Sequence, residues 1–170
     1  LEEAVEYAIQ QGCILAAGVG DDNVRVGMYP ASYELVLGVA AINTENKISR
    51  VTNYGEFIDL YAPGIGIYST TKDSKYVYES GSSLAAGYVS GIISLLYSIN
   101  MNLNYEKVKQ ILQSSSDYID YESNYEKSFG WGKINAYRSI VNLKGIENID
   151  IAIMNIRLIP ENPVKGIENN

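Results

Sequence analysis

The chain has 170 residues, 46% hydrophobic and 19% charged, a balance that can bury a real core and excludes general disorder. Its net charge of −7 argues against a nucleic-acid binder, because phosphate contacts need clustered Lys and Arg. Histidine is absent and Cys13 is the one cysteine, which excludes imidazole chemistry, an internal disulfide and a cysteine zinc site within this sequence.

The chain opens at Leu1 inside a helical pattern. Leu1, Ala4, Val5, Ala8 and Ile9 recur at helical spacing, with Glu2, Glu3 and Glu6 between them and Gly12 as terminator. Cys13 to Ala17 is short and wholly apolar, so it reads as a buried strand with Cys13 as a small core residue. Gly18 and Gly20 end that strand, and Asp21-Asp22-Asn23 reads as a solvated loop. Leu35 to Ile42 is a second buried strand, and Phe57 to Leu60 and Ile65 to Thr70 are further strands around the turn Ala62-Pro63-Gly64. Gly81-Ser82-Ser83 starts a helix to about Ile99 that is apolar almost all round, the mark of a central buried helix. Asn104 caps the next helix through Leu112, a tyrosine-rich polar loop spans Asp117 to Lys127, and Asn135 caps a last helix to about Val141. Apolar strands alternating with helices predict an α/β fold with a mainly parallel sheet. No stretch reaches the length expected of a membrane span. With its opening inside a helix and no closing element at Asn169-Asn170, the chain reads as a piece of a longer protein.

Chemistry points to Gly81-Ser82-Ser83-Leu84-Ala85-Ala86-Gly87-Tyr88-Val89-Ser90-Gly91. A serine on a glycine turn at the head of a buried helix suits nucleophilic attack, because the helix N-terminus has unpaired N–H groups and a dipole that favours an oxyanion. Read alone, such a serine is more readily a helix cap than a nucleophile.

The segment resembles the Gly-Thr-Ser-Met-Ala-Ser-Pro-His-Val-Ala-Gly motif of the subtilisin-like serine proteases, the subtilases. More matches stand in family order. Leu15-Ala16-Ala17-Gly18 resembles the strand ending in Ala-Ala-Gly-Asn, and Tyr29-Pro30-Ala31 resembles the loop before the next strand. Val51-Thr52-Asn53-Tyr54-Gly55 is similar to Phe-Ser-Asn-Tyr-Gly, and Ala62-Pro63-Gly64 to Val-Ala-Pro-Gly. Gly130-Trp131-Gly132-Lys133-Ile134-Asn135-Ala136 resembles the closing motif. The resemblance covers residues 1–143 and implies the C-terminal portion of a three-layer subtilase catalytic domain. It implies a serine endopeptidase acting on protein or peptide substrates, with Ser83 as nucleophile, Ala17 and Gly18 as floor of the substrate pocket, and no cofactor required. Subtilase triads run Asp, His, Ser along the chain, so the acid and base are expected in a missing upstream half of the domain, and this fragment alone is expected to be inactive. The resemblance also implies a bacterial protein that is secreted or held at the cell surface.

Departures from the family pattern carry information. Val19 stands where the family has the oxyanion-binding asparagine, and loss of one such donor costs about 10²–10³ in kcat. An impaired pseudoprotease with a binding or signalling role is therefore the alternative reading. Gly87 and Tyr88 replace the family's proline and structural histidine. Asp59, with the carbonyls of Ala31, Tyr33 and Val36, falls where some members bind a weak structural Ca2+. Read from the residues, Asp59 is an exposed loop carboxylate, and one charge makes a poor calcium site. Residues 144–170 form an expected linker and then an alternating segment, Ile149 to Gly166, that resembles the first strand of a bacterial immunoglobulin-like adhesion module, the start of a β-sandwich.

Overall fold

A computed structural model describes residues 1–119 and 129–145. The tyrosine-rich stretch at 120–127 and the expected adhesion-module strand beyond residue 145 lie outside the described residues.

Helix α1, Glu2–Gln10, ends as its glycine predicts. Gly12 takes φ +83°, its N–H donates to Ile9 O at 2.9 Å, and the Cys13 N–H donates to Ala8 O at 3.0 Å. These two bonds close a Schellman motif. Cys13 is thereby part of the helix terminator rather than the strand, and it is exposed, which corrects the expectation of a core cysteine. Strand β1 begins two residues later, at Leu15–Gly18.

Strands β2, Val36–Ile42, and β3, Leu60–Pro63, complete a three-stranded sheet in the order β1-β2-β3. Both pairings are parallel, with Leu15 opposite Val36 and Val39 opposite Leu60. Every residue of β2 is buried. Leu37, Val39 and Ala41 enter one apolar cluster, while Ala40 and Ile42 enter the cluster on the other face. That is the period-two signature of a parallel strand covered on both sides.

The third strand was expected at Phe57–Leu60 and starts only at Leu60. The reason is local. Asp59 exchanges two hydrogen bonds with Gly38: its N–H donates to Gly38 O, and its Oδ2 accepts from the Gly38 N–H, both at 2.8 Å. A side chain thus takes the place of the backbone ladder before the regular pairing begins. Strand β4, Ile67–Thr71, pairs antiparallel with β5, Lys75–Glu79, in a separate hairpin. The second strand of that hairpin was not foreseen. Its turn places Asp73 and Ser74 in the left-handed region, a conformation no glycine advertises in this segment.

Helix α2, Ser82–Ile99, lies on all three parallel strands. Ala85, Ala86, Val89, Ile93 and Leu96 join Leu37, Val39, Leu60 and Ala62 in the main cluster. Helices α3, Tyr105–Ser115, and α4, Ala136–Lys144, pack behind it, each capped by the expected asparagine: Asn104 Oδ1 accepts from Lys107 N, and Asn135 Oδ1 accepts from Arg138 N, both at 2.9 Å. The all-round apolar pattern of α2 predicts burial on every side, yet among the described residues only one side is fully covered. Tyr88, Leu95 and Ile99 are 45%, 48% and 40% exposed. This 18-residue helix has a mean hydropathy of 1.4, enough by length and composition to cross a membrane, contrary to the expectation of no such stretch; its covered side nevertheless packs on the sheet.

Two neighbouring leucines separate the sides of α2. Leu96→Ala should destabilise the chain by about 2–5 kcal/mol, and Leu95→Ala by less than about 1 kcal/mol. Urea unfolding of both variants measures the difference, and equal losses would show that the bare side is covered after all.

Candidate active site

The head of α2 meets the carboxyl end of β1, where ligands bind in open parallel sheets. Its N-cap, Gly81, has no side chain to cap the helix. Two backbone segments hold it instead. The Gly81 N–H donates to Gly64 O at 2.7 Å, tying the helix to the turn after β3. On the other side, a Cβ on Gly18 would lie 2.7 Å from Ser82 C, Ser82 Oγ and Ser83 N. Gly18 is therefore required here for close approach of strand to helix.

The loop after β1 supplies the remaining contacts. The Gly20 N–H donates to Ser82 Oγ at 3.1 Å. Asp21 accepts from the Ser82 N–H with both carboxylate oxygens, at 3.0 and 2.9 Å, and its Oδ2 accepts from Ser82 Oγ–H at 3.0 Å. Asp21 is thus half-buried and engaged, which corrects its reading as a solvated loop residue; Asp22 beside it is exposed. Asn53, fully buried, fastens the same loop: its Oδ1 accepts from the N–H groups of Asp22 and Val24, and its Nδ2 donates to Val19 O at 3.1 Å. Sequence reasoning quoted Asn53 only as part of a motif and missed Asp21. Both act across more than thirty residues of chain, so no local spacing signals them.

Ser83 is exposed. Among the described residues its Oγ makes no hydrogen bond, and its N–H, second in the helix, has no acceptor four residues back within the helix. The hydroxyl and this donor are both open to a ligand. Ala17 and Gly18, expected in the pocket floor, are partly exposed at the end of β1, next to Ser82.

Val19 is 0% exposed and packs with Ala31, Ala40, Ile42, Ile58, Tyr61 and Ile119. Its N–H donates to Val39 O at 3.1 Å. An amide introduced here would enter an apolar cluster, a cost that the linear motif comparison does not show.

Around Asp59 the structure brings together some of the expected cation-site groups. A Cβ on Gly38 would lie 3.2 Å from Ala31 O, and the same Gly38 donates to Asp59 Oδ2. Tyr33 O accepts from the Val36 N–H at 3.0 Å. One carboxylate and partly engaged carbonyls fall short of the six to eight oxygens that Ca2+ takes, and the described residues contain no group of three or more His, Cys, Asp or Glu placed to hold a metal. Asp59 is half-buried rather than exposed as its loop position suggests, and burial raises its pKa against the lowering by the Gly38 hydrogen bond and Lys109. Nearby Tyr105 donates to Glu34 O at 3.1 Å, and burial, then the Asp59 charge, pushes its pKa up.

This arrangement of strand, glycine approach and serine-headed helix is that of a subtilisin-like α/β protein. The sequence model of the Subtilase family matches residues 1–132, and the chain belongs to that family. It is 36% identical over 140 residues to the thermophilic serine proteinase of Bacillus sp. strain AK1, covering 82% of this chain and 34% of that protein. It is 31% identical to thermitase of Thermoactinomyces vulgaris, covering 82% and 48%. Among solved structures, the patellamide maturation protease PatA superposes with a TM-score of 0.77 at 27% identity, covering 86% of this chain and 57% of that one. The chain thus spans less than half the length of these two sequence relatives.

Two expectations follow for the site. Gly18→Ala should lower Tm by several degrees, since the new methyl meets backbone that cannot yield, and Val19→Asn should destabilise by about 1–3 kcal/mol. Gly87→Ala is the control: nothing lies within 4 Å of its Cβ position, so helix propensity makes it neutral or stabilising. Thermal unfolding of the three variants gives the comparison.

Asp59 sets a pH dependence of defined sign. Its folded pKa lies above the ordinary value, so its contribution to stability is full below the unfolded pKa and is lost as pH rises through the folded one. Asp59→Asn retains an acceptor for the Gly38 N–H and cannot ionise. The variant's Tm relative to the parent should therefore be more favourable at about pH 7 than at about pH 3; a difference that does not vary with pH would contradict the assignment.

Proposed function

We propose that this chain is the nucleophile-bearing part of a bacterial subtilisin-type serine endopeptidase acting outside the cytoplasm, with Ser83 as nucleophile. The observation that carries the reading is the open hydroxyl and open N–H of Ser83 at the head of a helix fixed on two sides. The chain contains no histidine, so the base and the acid that orients it belong to an upstream half of the same domain. The exposed Tyr88, Leu95 and Ile99 side of α2 supports such a partner, because contiguous bare apolar surface marks an interaction site.

In the completed domain the Ser83 Oγ attacks the scissile carbonyl carbon while its proton passes to the upstream histidine. The Ser83 N–H and the N-terminal end of the helix stabilise the oxyanion. Collapse expels the amine, which takes the proton back, and water then cleaves the acyl ester by the same steps in reverse order. No step runs through a metal ion or cofactor.

The pseudoprotease reading has one observation in its favour. Val19 is apolar, and the Ser82 hydroxyl proton goes to Asp21, so at this helix head the Ser83 N–H is the evident donor to an oxyanion.

A fluorophosphonate probe decides between them. In the contiguous protein that includes the upstream segment, Ser83 should be labelled, and Ser83→Ala should abolish both labelling and peptide hydrolysis. Residues 1–170 alone should not label, since an unassisted serine hydroxyl stays protonated and weak. A contiguous protein with intact Asp and His that leaves Ser83 unlabelled would establish the pseudoprotease.

A further inference from the structure

The geometry points to Asp21 as a positioning residue for Ser83: its carboxylate supplies, from a distant loop, the helix cap that Gly81 cannot provide. The inference rests on the protease reading for its catalytic consequence, but the contact itself stands independently.

Donor accounting at the head of α2 makes the case. Leu84 N–H and Ala85 N–H both donate to Gly81 O, at 3.1 and 3.4 Å. The first-turn donors that remain are the N–H groups of Ser82 and Ser83. An N-cap side chain ordinarily takes donors of this first turn, and a glycine has none. Among the described residues, Asp21 takes the Ser82 N–H and the Ser82 hydroxyl, and no more. Gly20, its chain neighbour, donates to the same hydroxyl. Both polar groups of Ser82 that face the loop are thereby fixed, while the next residue keeps its N–H and hydroxyl open. An intrinsic cap at residue 81 would bond the N–H of the second or third helical residue, and Ser83 is the second. Capping from outside at Ser82 thus leaves the reactive serine's donor available. The loop is itself rigid, because buried Asn53 bonds Val19, Asp22 and Val24 on either side of Asp21. Position therefore passes from Asn53 to the loop, from Asp21 to Ser82, and from Ser82 to Ser83.

Asp21→Asn keeps an oxygen acceptor of similar capping strength, and Asp21→Ala removes it. In the contiguous protein, Asp21→Ala should lower kcat by about tenfold or more with KM within about twofold, because a misplaced nucleophile affects the reacting geometry more than ground-state binding. The rate of fluorophosphonate labelling at Ser83 should fall in parallel, measured well below the Tm of each variant. Asp21→Asn should restore kcat to within about threefold of the parent. An unchanged kcat in Asp21→Ala would overturn the assignment, and so would an Asn variant as slow as the Ala variant, which would make charge rather than hydrogen bonding the cause. If the parent protein neither hydrolyses peptides nor labels, the protease reading fails, and amide hydrogen exchange tests the contact alone. Exchange at Ser82 should then be about tenfold faster or more in Asp21→Ala than in the parent and in Asp21→Asn, with Ile93 and Leu96 unchanged. Equal Ser82 exchange in all three would overturn it.

Discussion

The structure turns on how the first residues of α2 are held. Helix heads carry unpaired N–H groups and the positive end of the dipole, so they must be satisfied by something. Here the helix begins on a glycine that offers no side chain, and its neighbours supply the contacts. Gly64 O takes the Gly81 N–H, Asp21 takes the Ser82 N–H, and Gly18 lets β1 reach the Ser82–Ser83 backbone. Two chain segments far apart in sequence, residues 18–21 and Gly64, converge on Gly81, Ser82 and Ser83. Each contact requires the parallel sheet to be in register, because Gly18 ends β1 and Gly64 follows β3 directly.

The sheet can bear that role because β2 is buried on both faces. A strand with one solvated face tolerates a shift in depth, whereas β2 is clamped between α2 on one side and the Val19–Ile42–Tyr61 cluster on the other. Val19 belongs to that clamp. Its side chain fills the second cluster while its carbonyl accepts from Asn53 and the next residue's N–H reaches Ser82. Val19, expected at the family's asparagine position, is therefore committed to packing, and its backbone neighbours are committed to the helix head.

Local chemistry was legible in the sequence, and contacts across the chain were not. The buried strand near 36–42, both asparagine caps, the glycine terminator of α1 and the start of α2 at Ser82 follow from patterns a few residues long. Strand β3 was displaced because the Asp59–Gly38 exchange substitutes side chain for ladder. Cys13 was misread because a Schellman motif uses two residues beyond the helix that look like the start of a strand. The hairpin partner Lys75–Glu79 is only Tyr-Val-Tyr between a Lys and a Glu, and so short and exposed a strand carries too brief a pattern to mark it. Asp21 and Asn53 could not be placed at all, since their partners are decided by the tertiary fold. The full-circle apolarity of α2 was visible; that the described residues cover only one side of the helix was not.

That last mismatch has a physical consequence. A helix with Leu95 and Ile99 about half-exposed among the described residues, beside a fully buried Leu96, leaves apolar area uncovered there, at about 25 cal/mol for each Å². The same helix carries Ser83 at one end, and the bare face begins within two turns of it, at Tyr88. Whatever covers the face is therefore fixed relative to the serine by a rigid rod with a rise of about 1.5 Å per residue. Chemistry at Ser83, as proposed, would require placement to a fraction of an ångström, and a helix pinned at its head and packed along its length is a structure that can transmit it.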